Sequence, residues 1–343
     1  MDVFELTRAL VDIPSVTEEE KQVGEFLYAR LAELAGAHRH PHGRVERLEV
    51  APNRFNLFAS WGAPVVTLST HMDTVPPFFP SREDEEFIWG RGACDAKGIL
   101  AAMIVAAELL LEQSRRDFGL LFVVGEERNS AGARAAAATP RGSRYLVGGE
   151  PTENQLVRGS KGALRFELEA RGRMAHSAHP ERGASAIDAL LDVLADIRRI
   201  PLPTDGMLGR TTLNIGTIAG GCAPNVVADV ARAELMFRLV GEPGPIREAV
   251  ARAAAGRAAL HEVLHIPALQ MGQLDGFPAP QGAVVSFTTD LPFLAEAWGQ
   301  PFLVGPGSIH VAHTAEERVA KRQLTEAVEI YALLVARLQD ARA

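Results

Sequence analysis

Short apolar runs, closed by glycine, proline, an acid or histidine, recur through the first 150 residues of the chain. Runs at 44–50, 55–61, 65–69, 120–124 and 145–147 are rich in β-branched, leucine and aromatic residues and predict strands. Between them the period changes. Thr17 and Glu20 fit a capping box, and Val23, Phe26, Leu27 and Leu31 follow at helical spacing, which predicts an amphipathic helix. Residues 97–112, dense in Ala, Leu, Ile and Met, predict a helix packed on a sheet, and 131–138 a second. Alternation of β and α favours a mostly parallel sheet covered on both faces, an α/β fold.

After residue 160 the rhythm changes. Strands are predicted at 163–170, 211–218, 229–239 and 259–266, with helices at 184–199 and 245–254. That order, β-α-β-β-α-β, is the order of a ferredoxin-like unit. From about 270 the chain supplies a helix at 291–298, a strand at 302–304, the turn Gly305-Pro306-Gly307-Ser308 and a closing helix at 318–338, too little for a separate core. We therefore expect one domain from residues 1–160 and 270–343, interrupted by a second at 161–269.

Bulk properties narrow the function. The chain has 343 residues, 47% hydrophobic and 23% charged, with a formal net charge of -8. A negative balance argues against nucleic acid or a membrane surface as the main partner. Two cysteines, Cys94 and Cys222, and no signal-like start predict no disulfide and a reducing cytoplasm. The most apolar helix candidate, 98–111, is too short to span a bilayer.

The chemistry gathers at strand ends. His71 and Asp73 follow the 65–69 strand, Asp95 sits in the Gly-rich turn GRGACDAKG, Glu126-Glu127 and Glu150 each follow an apolar run, and His313 lies near the C-terminus. Singly, each has an ordinary reading: a hydrogen-bonded His-Asp pair, a solvated acidic loop, a turn residue, a helix cap. Together they place five potential ligands at or after the C-terminal ends of strands, where a parallel sheet brings them to one edge. Adjacent glutamates repel unless a cation or a proton intervenes, and a two-metal site with one general base has a use for both. Zinc takes imidazole and carboxylate, and two ions can share a carboxylate.

The motifs STHMDTVP, GRGACDAKG, GEE, GEPT, GRMAHSAHP with GASAI, APNVVAD and GPGSIHVAHTAEE run in order from Ser69 to Glu317. In that set the chain resembles the two-zinc aminoacylase family of metallopeptidases, which includes acetylornithine deacetylase, succinyl-diaminopimelate desuccinylase, carboxypeptidase G and related dipeptidases. The resemblance implies a zinc-peptidase-like catalytic domain carrying an inserted lid and dimerisation domain. It implies His71, Asp95 and Glu150 as ligands of one metal and Asp95, Glu127 and His313 as ligands of the other. Asp73 would fix the His71 tautomer, Glu126 would be the general base and the Asp95-Ala96 peptide would be cis. His176 would reach a partner subunit's oxyanion, so a homodimer is implied. Lys161 and the turn bearing Gly305, Gly307 and Ser308 would meet a substrate carboxylate, and Asn225 would be a substrate-side asparagine. Three positions depart from the usual motifs, Ala96, Ala178 and Ala228, and none removes a ligand.

The expectation is a metal-dependent amidohydrolase acting on an N-acyl amino acid or short peptide, with two divalent ions, zinc or alternatively cobalt, activating a bridging hydroxide. The C-terminal motif leans towards an acetylornithine deacetylase of arginine biosynthesis. Alternatives are a desuccinylase, a deacylase of carrier-protein-linked lysine or ornithine, and a dipeptidase or carboxypeptidase. More remote is a non-catalytic protein that binds a metal or an amino-acid derivative.

Overall fold

The computed structural model describes residues 1–36 and 43–341. Two compact units emerge: Met1–Arg158 with Gln270–Ala283 and Thr289–Ala343, and Gly159–Leu269 with Val284–Thr288. The first opens with α1 (Val3–Val11) and α2 (Lys21–Gly36). Its strands are β1 (Gly43–Ala51), β2 (Arg54–Trp61), β3 (Val66–His71), β4 (Phe87–Trp89), β5 (Phe118–Val123) and β6 (Tyr145–Gly148), with α3 (Lys97–Glu112) and α4 (Ala131–Ala137) between them.

The second unit contains β7 (Gly162–Arg171), α5 (Ala186–Ile197), β8 (Thr212–Gly220), β9 (Val230–Leu239), α6 (Gly244–Ala254) and β10 (Ala259–Ile266). The chain then returns to the first unit through α7 (Leu291–Trp298), β11 (Gln300–Leu303), β12 (Arg318–Ala320) and α8 (Lys321–Asp340).

The main sheet runs β1-β2-β5-β3-β6-β11. Its β5, β3, β6 and β11 are mutually parallel, and β1 and β2 are antiparallel additions at one edge. Every residue of β3 and β5 is buried, as strands covered on both faces must be. The α3 side chains Ile99, Leu100, Met103 and Leu110 share one core with Leu68, Leu120 and Val147 of the sheet and with Tyr331 and Val335 of α8. In the second unit β8-β9-β7-β10 form an all-antiparallel sheet, and a separate core joins Leu190 and Val193 of α5, Val250 of α6 and Phe166 and Phe237 of the strands. The fold is α/β with a mostly parallel sheet and a ferredoxin-like second unit.

Two local expectations are corrected. Thr17 does not cap a helix: its hydroxyl donates to Asp73 Oδ2 (2.8 Å) and its N–H to the Thr74 carbonyl (3.1 Å). Glu20 instead makes a two-pronged pair with Arg54, at 2.8 and 2.6 Å, which a single sequence cannot weigh against a cap because Arg54 is remote in the chain. The closing helix begins three residues late. Arg318–Ala320 pairs as a strand with β4, and the Arg318 guanidinium stacks 4.7 Å from the Trp89 ring. A tertiary partner here overrides helical propensity.

Candidate metal centre

Parallel pairing delivers the ends of β3, β5 and β6 to one edge of the sheet. His71 closes β3, Gly125-Glu126-Glu127 follow β5, and Glu150 follows β6. Backbone bonds fix these ends against one another: Met72 N–H to the Val123 carbonyl (2.8 Å) and Gly149 N–H to the Ser69 carbonyl (2.8 Å). Two glycines are required by space and by conformation. A Cβ on Gly149 would lie 2.4 Å from Ile99 Cγ2, and Gly125 turns the chain at φ +81°.

His71, Asp95 and Glu127 place one ligand atom each within 4.8 Å of one another. His71 Nε2 lies 2.9 Å from Asp95 Oδ1, and His313 Nε2 lies 3.3 Å from Asp95 Oδ2 and 2.9 Å from Glu127 Oε1. Each oxygen of Asp95 thus faces a different imidazole. His71 Nδ1 donates to the Asp73 backbone carbonyl (3.0 Å), with Asp73 Oδ1 at 3.6 Å, which leaves Nε2 pointing at Asp95. Glu126 and Glu150 line a small cavity together with His71. The Asp95-Ala96 peptide is cis, as the resemblance implies.

The electrostatics of this cluster call for cations. Burial, then the Glu150 charge, pushes the Glu126 carboxyl well above the usual range, and burial does the same to Glu150. Burial raises Glu127 also, against the hydrogen bond from His313. Burial opposes ionisation of Asp95, yet hydrogen bonds from His313 and His71 outweigh it and hold that carboxyl below the carboxylate range. His313 is pushed up to about 10 by Asp95 and Glu127. Burial disfavours a charged His71, but Asp73 and Asp95 carry it well above its ordinary value. Four carboxylates facing two imidazoles fit a pair of divalent cations, which bind both donor kinds and supply the missing positive charge.

The remaining sequence-predicted residues lie elsewhere in their own units. Lys161, His176 and Asn225 belong to the second unit. His176 is exposed and its Nδ1 accepts the Ala178 N–H (3.1 Å); the neighbouring Ser177 N–H donates to the Asn225 carbonyl (3.0 Å), so these two loops are joined. Lys161 Nζ donates to the Arg210 carbonyl (2.7 Å).

In the first unit the glycine turn departs from expectation. Gly305 N–H donates to Thr152 Oγ1 (2.9 Å) and Gly307 N–H to Gln323 Oε1 (2.9 Å). Neither amide faces outward for a carboxylate, because both tie the loop to its neighbours. The Ser308 carbonyl accepts the Cys94 thiol (3.3 Å).

Two further acids approach the site without a strand-end position to mark them. Asp290, at the N-terminus of α7, lines the same cavity as Glu126 and Glu150, and burial pushes it up to about 7 against the opposing influence of the Ser130 hydroxyl. An acid followed by Leu-Pro at a helix start was the available signal. Glu317 lies four residues after His313, inside the last motif, and is buried against the Asp95 turn.

Comparison with known proteins agrees with this geometry. Residues 67–337 match the model of peptidase family M20/M25/M40. A probable carboxypeptidase of Aspergillus niger is 39% identical over 98% of this chain and 89% of its own length. Among solved structures, an aminopeptidase PepT from Bacillus cereus superposes with TM-score 0.80 at 20% identity, covering 98% of both chains. A dinuclear metal binding peptidase of the M20 family from Bacillus subtilis superposes with TM-score 0.72 at 18% identity, over 99% of this chain and 98% of that one. With the acid-histidine cluster at the edge of its sheet, the chain belongs to peptidase family M20/M25/M40, the two-metal aminoacylases and peptidases, and is a metal-dependent hydrolase of amide bonds.

Proposed function

We propose that this hydrolase cleaves the amide joining an acyl group to the nitrogen of a free amino acid or of the C-terminal residue of a short peptide. Both substrates present the same bond, one whose leaving amine carries an α-carboxylate. The N-acyl amino acid reading, with Nα-acetylornithine as first candidate, draws on the GPGSIHVAHTAEE motif. The peptide reading draws on relatives named as probable carboxypeptidases. The observation that carries the proposal is the division of the Asp95 oxygens between His71 and His313, with Glu126 beside them.

In this reading His71, Asp95 and Glu150 hold one ion and Asp95, Glu127 and His313 the other; zinc is the assignment and cobalt the alternative. When bound, the ions polarise the scissile carbonyl and acidify the attacking water. Glu126, which lines the cavity with His71 and Glu150, takes a proton from that water and delivers it to the leaving nitrogen. Asp73 orients His71. His176 donates to the carbonyl oxygen of a partner subunit's substrate, Lys161 meets a substrate carboxylate, and Asn225 and Ser308 are further substrate contacts. The same reading makes the protein a cytoplasmic homodimer with free thiols at Cys94 and Cys222.

The test is amine release by protein loaded with zinc or cobalt, beside chelated protein. The panel is Nα-acetylornithine, a succinylated amino acid, an N-blocked dipeptide and a dipeptide amide with a free N-terminus. Metal-dependent cleavage of any of the first three supports the reading. Cleavage confined to the dipeptide amide overturns it, since that substrate has no α-carboxylate on the leaving amine.

A further inference from the structure

Glu317 is fully buried and every oxygen it owns is committed to the turn that carries Asp95. Its Oε1 accepts the backbone N–H groups of Gly92 (2.9 Å), Cys94 (3.2 Å) and Asp95 (3.1 Å). Its Oε2 receives Arg91 Nη1 at 2.5 Å, and its backbone carbonyl receives the Gly90 N–H at 3.1 Å. Arg91 is held in turn by the Pro77 carbonyl (Nε, 3.2 Å) and by the Phe79 ring, 4.9 Å from its guanidinium carbon. Three amides converging on one oxygen form a backbone nest, an arrangement that selects an anion and fixes the direction of each peptide.

The position of this acid in the chain gives the nest a purpose. His313 and Glu317 sit on one short segment, which is folded by Thr314 Oγ1 accepting the Glu316 N–H at 3.2 Å. His313 meets the Asp95 carboxylate and Glu317 meets the Asp95 amide, so one segment grips the same residue at its side chain and at its backbone. We propose that Glu317 is a positioning residue for the metal centre: by anchoring the amides of residues 92–95 it sets the direction in which Asp95 presents its two oxygens. With Oε1 taken by three amides and Oε2 by Arg91, both of its carboxylate oxygens are engaged away from the ligand set. This inference rests on the reading of Asp95 as a shared ligand, and it belongs with the partners outside the ligand set that tune metal affinity.

The test uses the full chain stripped with chelator and titrated with Co²⁺ and Zn²⁺. Affinity is read by chelator competition, ligand geometry by visible Co²⁺ absorption, and fold stability by thermal melting of the stripped protein. Glu317→Asp keeps the charge but pulls the nest back by one methylene, and we expect it to bind metal about 10- to 100-fold more weakly with an altered Co²⁺ spectrum. Glu317→Gln keeps an oxygen at the nest and should lose less than about tenfold. Parent-like affinity and spectrum in Glu317→Asp overturn the role, and a lower melting temperature with unchanged affinity assigns Glu317 to stability alone and overturns it equally. Asp95→Ala is the control for the underlying reading. If it also binds as the parent does, the metal site itself is misassigned; if only it loses metal, the failure is confined to Glu317.

Discussion

Asp73 holds Glu126 by the backbone: its Oδ1 accepts the Glu126 N–H at 3.1 Å and that of Gly125 at 3.0 Å, while Oδ2 accepts the Glu127 N–H at 3.2 Å. The residue two places after His71 therefore fixes the loop bearing the proposed base and one proposed ligand as well as standing beside the imidazole. Burial opposes its ionisation, but His71 and the Thr17 hydroxyl keep its carboxyl below the carboxylate range. Asp73→Asn supplies one acceptor where the loop needs two. We expect it to lower both metal affinity and turnover by about 10- to 100-fold, read by chelator competition and by initial rates at saturating metal. A loss of turnover with metal affinity intact would separate the loop from the ligands and contradict this coupling.

Glu126→Gln tests the base without touching a proposed ligand. Metal content by elemental analysis should equal that of the parent, while kcat falls by about 10²- to 10⁴-fold. Parent-like turnover in this variant would remove Glu126 from the proton path.

Metal affinity should rise with pH. In stripped protein His313 keeps its proton up to about 10, and His71 is held well above its ordinary value, so at neutral pH an incoming ion displaces protons from both imidazoles. Lower pH favours the protonated rings and weakens binding, by up to about tenfold per pH unit for each proton displaced. Calorimetry in two buffers of different ionisation enthalpy counts all the protons released, those of the two rings together with any held by the buried Glu127 and Glu150 carboxyls. Equal affinity at acid and neutral pH would show that no ligand gives up a proton on binding and would contradict this prediction.

Lys97 makes a separate pH prediction about stability. Its side chain is 1% exposed and donates to the Ile13 carbonyl at 2.6 Å, and burial lowers its pKa to about 7 from 10.5. Between those values the unfolded chain binds a proton that the folded chain does not, so this group makes stability rise with pH across that window and contributes no slope below about 7. Urea denaturation of the parent and Lys97→Met across the window should show the slope in the parent and a flatter line in the variant. Parallel lines would mean that Lys97 stays charged when buried.

Much of the catalytic unit could be read along the chain because its signals are local. A buried parallel strand is a short apolar run, and the residue after it must appear at the edge of the sheet, so His71, Glu126-Glu127 and Glu150 stand out from pattern alone. The β-α-β-β-α-β order after residue 160 was legible for the same reason. Thr17, Glu20, Arg318 and Glu317 were not. Each takes its partner from a remote segment, Asp73, Arg54, the β4 aromatics and the Asp95 turn, and nothing in local spacing reports such a pairing. Nor does the appearance of Gly305 and Gly307 as open amides survive the fold, since Thr152 and Gln323 reach them only once the sheet is assembled. Which residue types stand at strand ends follows from the chain alone, because hydrophobic periodicity is a property of sequence neighbours. Which of their hydrogen-bonding groups stay free for chemistry depends on the folded chain, because most buried donors and acceptors are satisfied by whatever remote segment packs beside them.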